Sequence, residues 1–600
     1  MRFRIHSIDW FIVITFISLL IKALVVNRIF TTAISQGAFL STIGILFAFL
    51  SFSLLFKQPL RIAYLIAVNL VVSFVLFSDL VYFRYFGSPI TMYLFLQTSN
   101  LEGLGPSILS LIQASDILFF IDIPVILGAY LFLKSEHPLL GIKKRVYLFS
   151  SLLIVGILLV SLKPVKIHML DQRDPFKKFT PLSYMIDWGP MGHHVFDAAD
   201  FVRDSRTINL TAEEEKMIND WFDTRLGAST LSQDELFGAG KGKNLIVIQV
   251  ESLQNFVINQ QVEGKEITPV LNSLLDNSLY FSNFYPQTAE GNSSDAELLV
   301  NTSLYPVREG STFFRYGHHS YPSLAKLLAE DGYQSIALHA DDGSFWNREL
   351  TYPNLGFDTF YDIASFKRDD MIGMGLSDKS FFTQSIPFLK ELPEPFYSFY
   401  VTLTSHTPYE IPDAENGLQL SEELATSHLG NYFESIHYTD SAIGEFIDQL
   451  KKEQLLDDTI IVLYGDHDGL FYHRDLAEIE DYYDKKITQE EWMKSYTQVP
   501  FIIYHPEFEG KTVTTIGGQI DALPTIAHIM GIETAAYGRQ AMGRNLLKDS
   551  QGSAILMKGD YGEKTYVHPN GITFGLVEEQ EKALEVSELL IRSNYFVRKK

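Results

Sequence analysis

Five long apolar runs crowd into the first 162 residues, and they constrain this chain more than any other feature. They cover residues 10–26, 37–56, 62–77, 117–133 and 146–162. Runs of this length, wound as helices, suit the hydrocarbon core of a bilayer. One such run can be a core helix or a signal peptide, but five in succession read as membrane spans. No small-residue cleavage pattern follows the first, so it reads as a retained helix. Lys and Arg set the orientation. Arg2 and Arg4 precede the first run, Lys57 and Arg61 lie between the second and third, and Lys134, Lys143, Lys144 and Arg145 lie between the fourth and fifth. The alternate loops carry only Arg28 and Arg84. The expectation is a cytoplasmic N-terminus and five spans, with everything after Leu162 outside the cell membrane. The stretch from Arg84 to Asp116 is then external and suited to the membrane surface. Lys22, Asp79 and Asp122 fall near the outer ends of their helices and read as snorkelling or interfacial charges.

The charge balance divides the chain in the same place. The whole carries 48 Lys+Arg against 72 Asp+Glu, a formal net charge of -24. Residues 1–162 hold 11 basic and 6 acidic side chains, a net +5, which leaves -29 for the remainder. That acidity excludes nucleic-acid binding through a basic surface. The absence of cysteine excludes disulfides, thiolate-held metals and a thiol nucleophile.

Residues 163–242 read as a juxtamembrane helical linker. It contains a capping box, Thr211 with Glu214, that opens a helix running to Arg225. Gly238-Ala-Gly-Lys-Gly-Lys243 lacks the ending of a phosphate-binding loop and precedes a strand, so it reads as a connection. From residue 243 to 600 the pattern is α/β, with a mostly parallel sheet. Strands are expected at 244–250, 335–338, 396–404, 459–464 and 499–504, and helices at 322–331, 432–452 and 522–530.

Sites in such sheets form at the carboxyl ends of the strands. Glu251 follows the first strand, His339 and Asp341 the second, His406 the third, and Asp466 and His467 the fourth. Any one of these reads as a cap or a loop residue; four together point to a metal-dependent site. Oxygen and nitrogen donors without sulfur suit Mn²⁺, Mg²⁺ or Zn²⁺. Group transfer also needs a nucleophile. The loop Glu290-Gly-Asn-Ser-Ser-Asp-Ala-Glu297 offers Ser293 and Ser294 at the start of a helix. A capping box between Ser294 and Glu297 is the structural alternative.

These motifs together resemble the lipoteichoic acid synthase family, within the sulfatase and alkaline-phosphatase superfamily. The residues that carry the resemblance are Glu251-Ser, the loop from Gly291 to Glu297 with Asn301-Thr-Ser-Leu-Tyr305, and His339 with Phe345-Trp-Asn-Arg348. Leu403-Thr-Ser-His406, Tyr464-Gly-Asp-His467 and Gly518-Gln-Ile-Asp-Ala-Leu-Pro-Thr525 complete the set. The resemblance covers essentially the whole chain. It implies an α-helical membrane domain of five transmembrane helices plus an extracellular α/β sulfatase-like domain. It implies a phosphoglycerol transferase that moves glycerol-1-phosphate from phosphatidylglycerol to a polyglycerol-phosphate chain or its glycolipid anchor. It further implies Mn²⁺, with Mg²⁺ as the alternative, held by Glu251, Ser293, Asp466 and His467. Ser293 is then the nucleophile, and His339, Asp341, Trp346, Arg348 and His406 surround the glycerol phosphate. Arg348 suits a bidentate grip on phosphate, Trp346 an apolar wall, and the two histidines donation to phosphoryl oxygens or to the leaving alkoxide.

The family nucleophile is usually Thr in Gly-Lys-Thr, where this chain has Gly291-Asn292-Ser293. Three other readings stay open: a primase-like enzyme adding one unit, a phosphoethanolamine-type transferase, and a non-catalytic envelope protein. A sulfatase is disfavoured, since Ser303-Leu-Tyr-Pro306-Val-Arg308 has one residue too many for the formylglycine motif. His193-His194 and His318-His319 read as surface residues.

Overall fold

The computed structural model describes residues 10–31, 33–57, 60–86, 89–101, 105–132, 141–170, 181–204, 208–227, 236–549, 551–557 and 564–598. Arg2, Arg4, Lys134 and the last residue of the fourth apolar run lie outside the described residues. The chain divides into two units, Met1–Leu94 with Ile108–Ser205, and Phe95–Ser107 with Arg206–Lys600.

The first unit is helical. Its main elements are α1 (Trp10–Phe30), α2 (Gln36–Ser51), α3 (Leu60–Phe86), α4 (Asp122–Phe132), α5 (Ile142–Leu170) and α6 (Pro181–Asp204). Among the described residues, four helical stretches are long and apolar enough to cross a membrane: 10–30, 36–55, 60–84 and 142–166. The fourth expected run instead lies on a short 3₁₀ turn, Ala114–Phe119, and on α4. The 11 described residues of α4 rise ~16 Å, about half a hydrocarbon core, and the residues directly after Phe132 lie outside the described ones. Glycines let α2 and α5 close on one another. A Cβ on Gly44 would sit 2.6 Å from the Gly156 carbonyl oxygen, and one on Gly156 2.5 Å from that of Gly44.

Charges expected to snorkel are paired inside this unit instead. Lys22 Nζ donates to Asp122 Oδ1 at 2.6 Å, Ser73 Oγ at 2.7 Å and Asn69 Oδ1 at 3.1 Å. Asp122 Oδ2 accepts from Ser18 and Asn69. Apolar surroundings make an unpaired charge costly, and pairing across α1, α3 and α4 removes that cost. The histidine pair is likewise bonded inside this unit, His193 buried and His194 half-buried, rather than on a surface linker. His194 Nε2 bonds Asp79 Oδ2 and His193 Nε2 bonds the Ile90 carbonyl, each at 2.8 Å. The boundary expected at residue 162 falls inside α5, and the division between units lies at 205/206. The cause is α6, which sequence composition alone presents as a linker. It buries Tyr184, Met185, Trp188 and Met191, and its Met185 carbonyl accepts from Asn27 of α1.

The second unit is built on an eight-stranded sheet. Its strands are β1 (Asn244–Val250), β2 (Ser278–Phe281), β3 (Gln334–His339), β4 (Thr359–Tyr361), β5 (Phe396–Val401), β6 (Thr459–Gly465), β7 (Phe501–Tyr504) and β8 (Lys511–Val513). Their spatial order is β8-β2-β7-β6-β1-β5-β3-β4. Only β7 runs antiparallel to its neighbours, so the sheet is mixed but mostly parallel. Both faces are covered, which is why the strands read as mostly apolar runs. Leu245 and Val247 of β1 point into one core with Leu298, Leu299 and Val300 of α7 (Asn292–Thr302). Ile246 and Ile248 point into the other, with Phe381 and Phe382 of α8 (Asp378–Glu391) and Phe433, Ile436 and Phe446 of α9 (His428–Lys452). The capping box at Thr211 is present, with Thr211 N donating to Glu214 Oε2 and Glu214 N to Thr211 Oγ1. A three-stranded antiparallel sheet, 554–556, 565–568 and 571–574, and a helix over Glu578–Arg592 complete the unit.

Candidate active site

The register of the central strands assembles the site. β1 and β6 are parallel neighbours with Val250 opposite Gly465. The residues that follow, Glu251 and Asp466-His467, therefore emerge side by side. One ligand atom from each of Glu251, Asp466 and His467 lies within 4.8 Å of the others, and all three residues are buried. Gly465 is required at the strand end, because a Cβ there would lie 2.0 Å from the Leu253 carbonyl oxygen. Glu251 is fixed through its backbone: its N–H donates to Thr402 Oγ1, and its carbonyl accepts from Ser405 Oγ. Asp466 Oδ1 accepts from the backbone N–H groups of Ser252 and His467, each at 2.8 Å.

Ser293 stands in the first turn of α7. Asp295 shapes the loop before it, since its Oδ2 accepts from Ala289 N and Gly291 N at 2.9 Å each. Tyr464 Oη donates to Gln249 Oε1, and Gln249 Nε2 donates to the Ser293 carbonyl. The Ser293 hydroxyl lies 3.3 Å from Glu251 Oε2 and 3.3 Å from His467 Nε2. Ser294 turns elsewhere, donating to the Gly291 carbonyl and meeting Ser311 Oγ. The capping box between Ser294 and Glu297 does not form. Gly291 occupies the cap without a side-chain bond.

The donor set fits a divalent cation on electrostatic grounds. Burial and the neighbouring Asp466 carboxylate push the Glu251 pKa well above its usual range. Asp466 Oδ2 is buried and accepts no hydrogen bond. Two carboxylates in mutual repulsion, with an imidazole nitrogen and an unanswered oxygen, are what a hard-to-borderline metal ion relieves.

The other expected site residues lie at the ends of β3 and β5 and in the turn after β3. Arg348 is buried, but its Nε and Nη2 atoms donate to Glu297 Oε1 at 3.0 and 2.6 Å. The edge suited to a bidentate phosphate grip is thus already occupied, and Nη1, with a 3.5 Å contact to the Phe345 carbonyl, is the freer end. Burial works against the Arg348 charge, and the Glu297 carboxylate more than offsets it. Trp346 and Asn347 both hold left-handed backbone, φ 56° and 57°. Each costs about 1–3 kcal/mol in a non-glycine residue, a strain that clusters at functional sites. The Trp346 ring packs against Phe314 and Phe345 and is largely buried. Asp341 is half-buried, and burial raises its pKa.

The two histidines differ from expectation in proton placement. His339 Nδ1 faces the Val401 carbonyl at 3.1 Å and His406 Nδ1 the Thr407 carbonyl at 2.7 Å. A carbonyl only accepts, so each Nδ1 carries the proton. Burial, and for His339 the Arg348 charge, hold both rings neutral; His406 is lowered to about 4. Each Nε2 is then a lone pair, an acceptor rather than the donor expected from sequence. His339 Nε2 is buried with no hydrogen-bond partner.

Sequence reading missed two further supports. Glu297 clamps Arg348 and accepts from Tyr352 Oη at 2.7 Å. Its signal was a charged residue inside the apolar face of a helix. Gln519 donates to the Asp466 carbonyl at 2.6 Å and to that of Gly465 at 3.1 Å. It lies in the motif beginning at Gly518, with no strand end to mark it.

A mostly parallel sheet with a hydroxyl beside an Asp/Glu/His cluster at its carboxyl edge defines an enzyme of the sulfatase class, and the sulfatase family description matches residues 243–532. A second description, the lipoteichoic acid synthase N-terminal domain, matches residues 1–209. Lipoteichoic acid synthase 1 of Bacillus subtilis is 32% identical over 537 residues, 88% of this chain and 82% of that one. The lipoteichoic acid synthase of Staphylococcus saprophyticus is 31% identical over 536 residues, 87% of this chain and 80% of that one. The crystal structure of the lipoteichoic acid synthase LtaP from Listeria monocytogenes is 31% identical with a TM-score of 0.55, covering 64% of this chain and 98% of that one. The chain belongs to the lipoteichoic acid synthase family.

Proposed function

We propose that this protein transfers glycerol-1-phosphate from phosphatidylglycerol to a polyglycerol-phosphate chain or its glycolipid anchor. The reaction takes place outside the cell membrane, with the N-terminus inside. Mn²⁺, or Mg²⁺ in its place, is held by Glu251, Asp466, His467 and the Ser293 hydroxyl. The observation that carries this reading is the Ser293 hydroxyl, 3.3 Å from both Glu251 Oε2 and His467 Nε2.

When bound, the cation lowers the pKa of the serine hydroxyl and offsets charge on the phosphoryl oxygens. Ser293 Oγ attacks the head-group phosphorus, the bond to the diacylglycerol oxygen breaks, and the serine proton ends on the diacylglycerol hydroxyl. In the second half a terminal hydroxyl of the acceptor attacks phosphorus, the bond to Ser293 Oγ breaks, and a proton returns to Ser293. The lone pairs on His339 Nε2 and His406 Nε2 receive substrate hydroxyl protons and suit a base for that second attack. Arg348 Nη1 meets a phosphoryl oxygen, Asp341 accepts a glycerol hydroxyl, and Trp346 faces the glycerol carbons.

The test is purified full-length protein with labelled phosphatidylglycerol and Mn²⁺. Ser293→Ala should abolish diacylglycerol release, and full retention of release overturns the assignment. Product length separates the remaining alternatives: many units mark a polymerase, one a primase-like enzyme. A wild-type protein that releases no diacylglycerol is not this transferase.

A further inference from the structure

The loop that carries His406 runs on from β5 outside any strand. Thr402 N still donates to the Gln249 carbonyl of β1 at 3.1 Å. Beyond it Leu403 and Thr404 are buried, so their N–H groups need acceptors that water does not supply.

One carboxylate oxygen serves both. Asp378 Oδ1 accepts from Leu403 N at 2.9 Å and from Thr404 N at 3.2 Å. Asp378 N donates back to Thr404 Oγ1 at 2.8 Å. The second oxygen, Oδ2, accepts from Thr439 Oγ1 of α9 at 2.8 Å. Asp378 is the first residue of α8 and has no exposed surface. Burial raises its pKa, and the bonds from the loop and from Thr439 act the other way. The same loop braces the proposed metal ligand. Glu251 N donates to Thr402 Oγ1 at 3.0 Å, and Ser405 Oγ donates to the Glu251 carbonyl at 2.6 Å. His406 N donates to the Leu403 carbonyl at 3.1 Å, a turn that sets where the imidazole leaves the chain. Thr402 to His406 are thus laced both to Asp378 and to the Glu251 backbone.

We propose that Asp378 is a positioning residue for the transfer, acting through this loop to place His406 and the Glu251 carboxylate together. The inference rests on the transferase reading given above. Without the carboxylate, two buried N–H groups lose their acceptor. The loop then settles toward other partners and takes His406 and the Glu251 backbone with it. A shift of about 1 Å in a reacting group costs about a hundredfold in rate. Partners that orient a metal ligand are worth about ten- to a hundredfold in metal affinity or activity.

The test compares Asp378→Ala, Asp378→Asn and Thr439→Val in full-length protein in detergent, per folded molecule and well below each thermal midpoint. Asp378→Ala should lower kcat for diacylglycerol release about tenfold or more, with KM for phosphatidylglycerol within about threefold. Without lipid, it should need about tenfold more Mn²⁺ to match the parent's rise in thermal midpoint. Asp378→Asn keeps an oxygen for the two N–H groups and a donor for Thr439, so it should bring both readouts back near the parent's. Thr439→Val removes only the Oδ2 bond. It should lower the thermal midpoint and leave kcat and the Mn²⁺ requirement in place, which a purely structural role for Asp378 would also predict for Asp378→Ala. The proposal is overturned if Asp378→Ala keeps the parent's kcat and Mn²⁺ requirement, or if Asp378→Asn or Thr439→Val is as impaired as Asp378→Ala. Should Asp378→Ala not fold, Thr404→Ala takes its place. It removes the bond from Asp378 N and should shift both readouts the same way by less, and an unchanged Thr404→Ala overturns the proposal. A parent that releases no diacylglycerol overturns the transferase reading instead, and the Mn²⁺ arm, which needs no turnover, still decides this one.

Discussion

Glu297→Gln is the most informative single substitution in the catalytic unit. Glu297 has no exposed surface and Arg348 is 1% exposed. Their contact is a 2.6 Å ion pair, and Tyr352 Oη adds a 2.7 Å bond to the same carboxylate. The glutamine keeps the shape but strands the Arg348 charge in the core. Removing one partner of such a pair costs about 3–5 kcal/mol, a large share of the ~5–15 kcal/mol that holds a domain together. A surface pair would cost under about 1 kcal/mol. The double variant Glu297→Leu with Arg348→Met leaves no buried charge, so it should cost less than Glu297→Gln alone. Its remaining penalty is the unanswered Tyr352 hydroxyl, about 1–3 kcal/mol. Urea unfolding of the purified protein, followed by fluorescence, measures all of these. The reasoning fails if Glu297→Gln costs under about 1 kcal/mol, or if the double variant costs the sum of Glu297→Leu and Arg348→Met measured singly.

Three other outcomes are expected. Adding Mn²⁺ should raise the thermal midpoint of the wild type by relieving the repulsion between Glu251 and Asp466. Asp466→Asn should show little of that rise, and an equal rise would place the ion elsewhere. Gly465→Ala should lower both stability and diacylglycerol release, since its Cβ would sit 2.0 Å from the Leu253 carbonyl oxygen; unaltered release would show that the strand end can shift freely. Glu588 is buried, which alone would raise its pKa, but Arg308 at 2.5 Å, with Arg592 and Arg315, brings it down to about 2. A depressed carboxylate contributes stability above its unfolded pKa and loses it as pH falls through the folded value. About 3 kcal/mol should therefore be present near neutral pH and fade between about pH 4.5 and 2. Glu588→Gln should flatten that part of the stability–pH curve, and an unchanged acid limb would contradict the assignment.

The parts of the fold legible in the sequence were those whose cause is local. β1 and β6 announced themselves because a strand buried on both faces is mostly apolar, and Glu251, Asp466 and His467 stood out as the first ionisable residues after such runs. What stayed hidden depended on distant partners. Lys22 and Asp122 are 100 positions apart, and nothing in either neighbourhood shows that they pair. α6 looked like a linker because its apolar residues serve distant parts of the unit, Met185 and Met191 packing in one cluster with residues of α1, α2 and α3. The histidine tautomers follow from carbonyls on Val401 and Thr407, which no side-chain pattern encodes. Glu297 was visible as a charge in a helix, with a capping box as its structural alternative, and its partner Arg348 lies 51 residues on.

Ser107 belongs with the catalytic unit although it precedes two of the apolar helices, and its hydroxyl donates to the Thr407 carbonyl at 2.9 Å. That oxygen is the one that fixes the His406 proton on Nδ1. Proteolysis between residues 205 and 236 would release a fragment with the entire sheet and every proposed metal ligand, yet without Ser107. A shed or recombinant catalytic domain is therefore not chemically equivalent to the tethered enzyme. It keeps Ser293 and His406, but the carbonyl that supports His406 has lost one of its two donors.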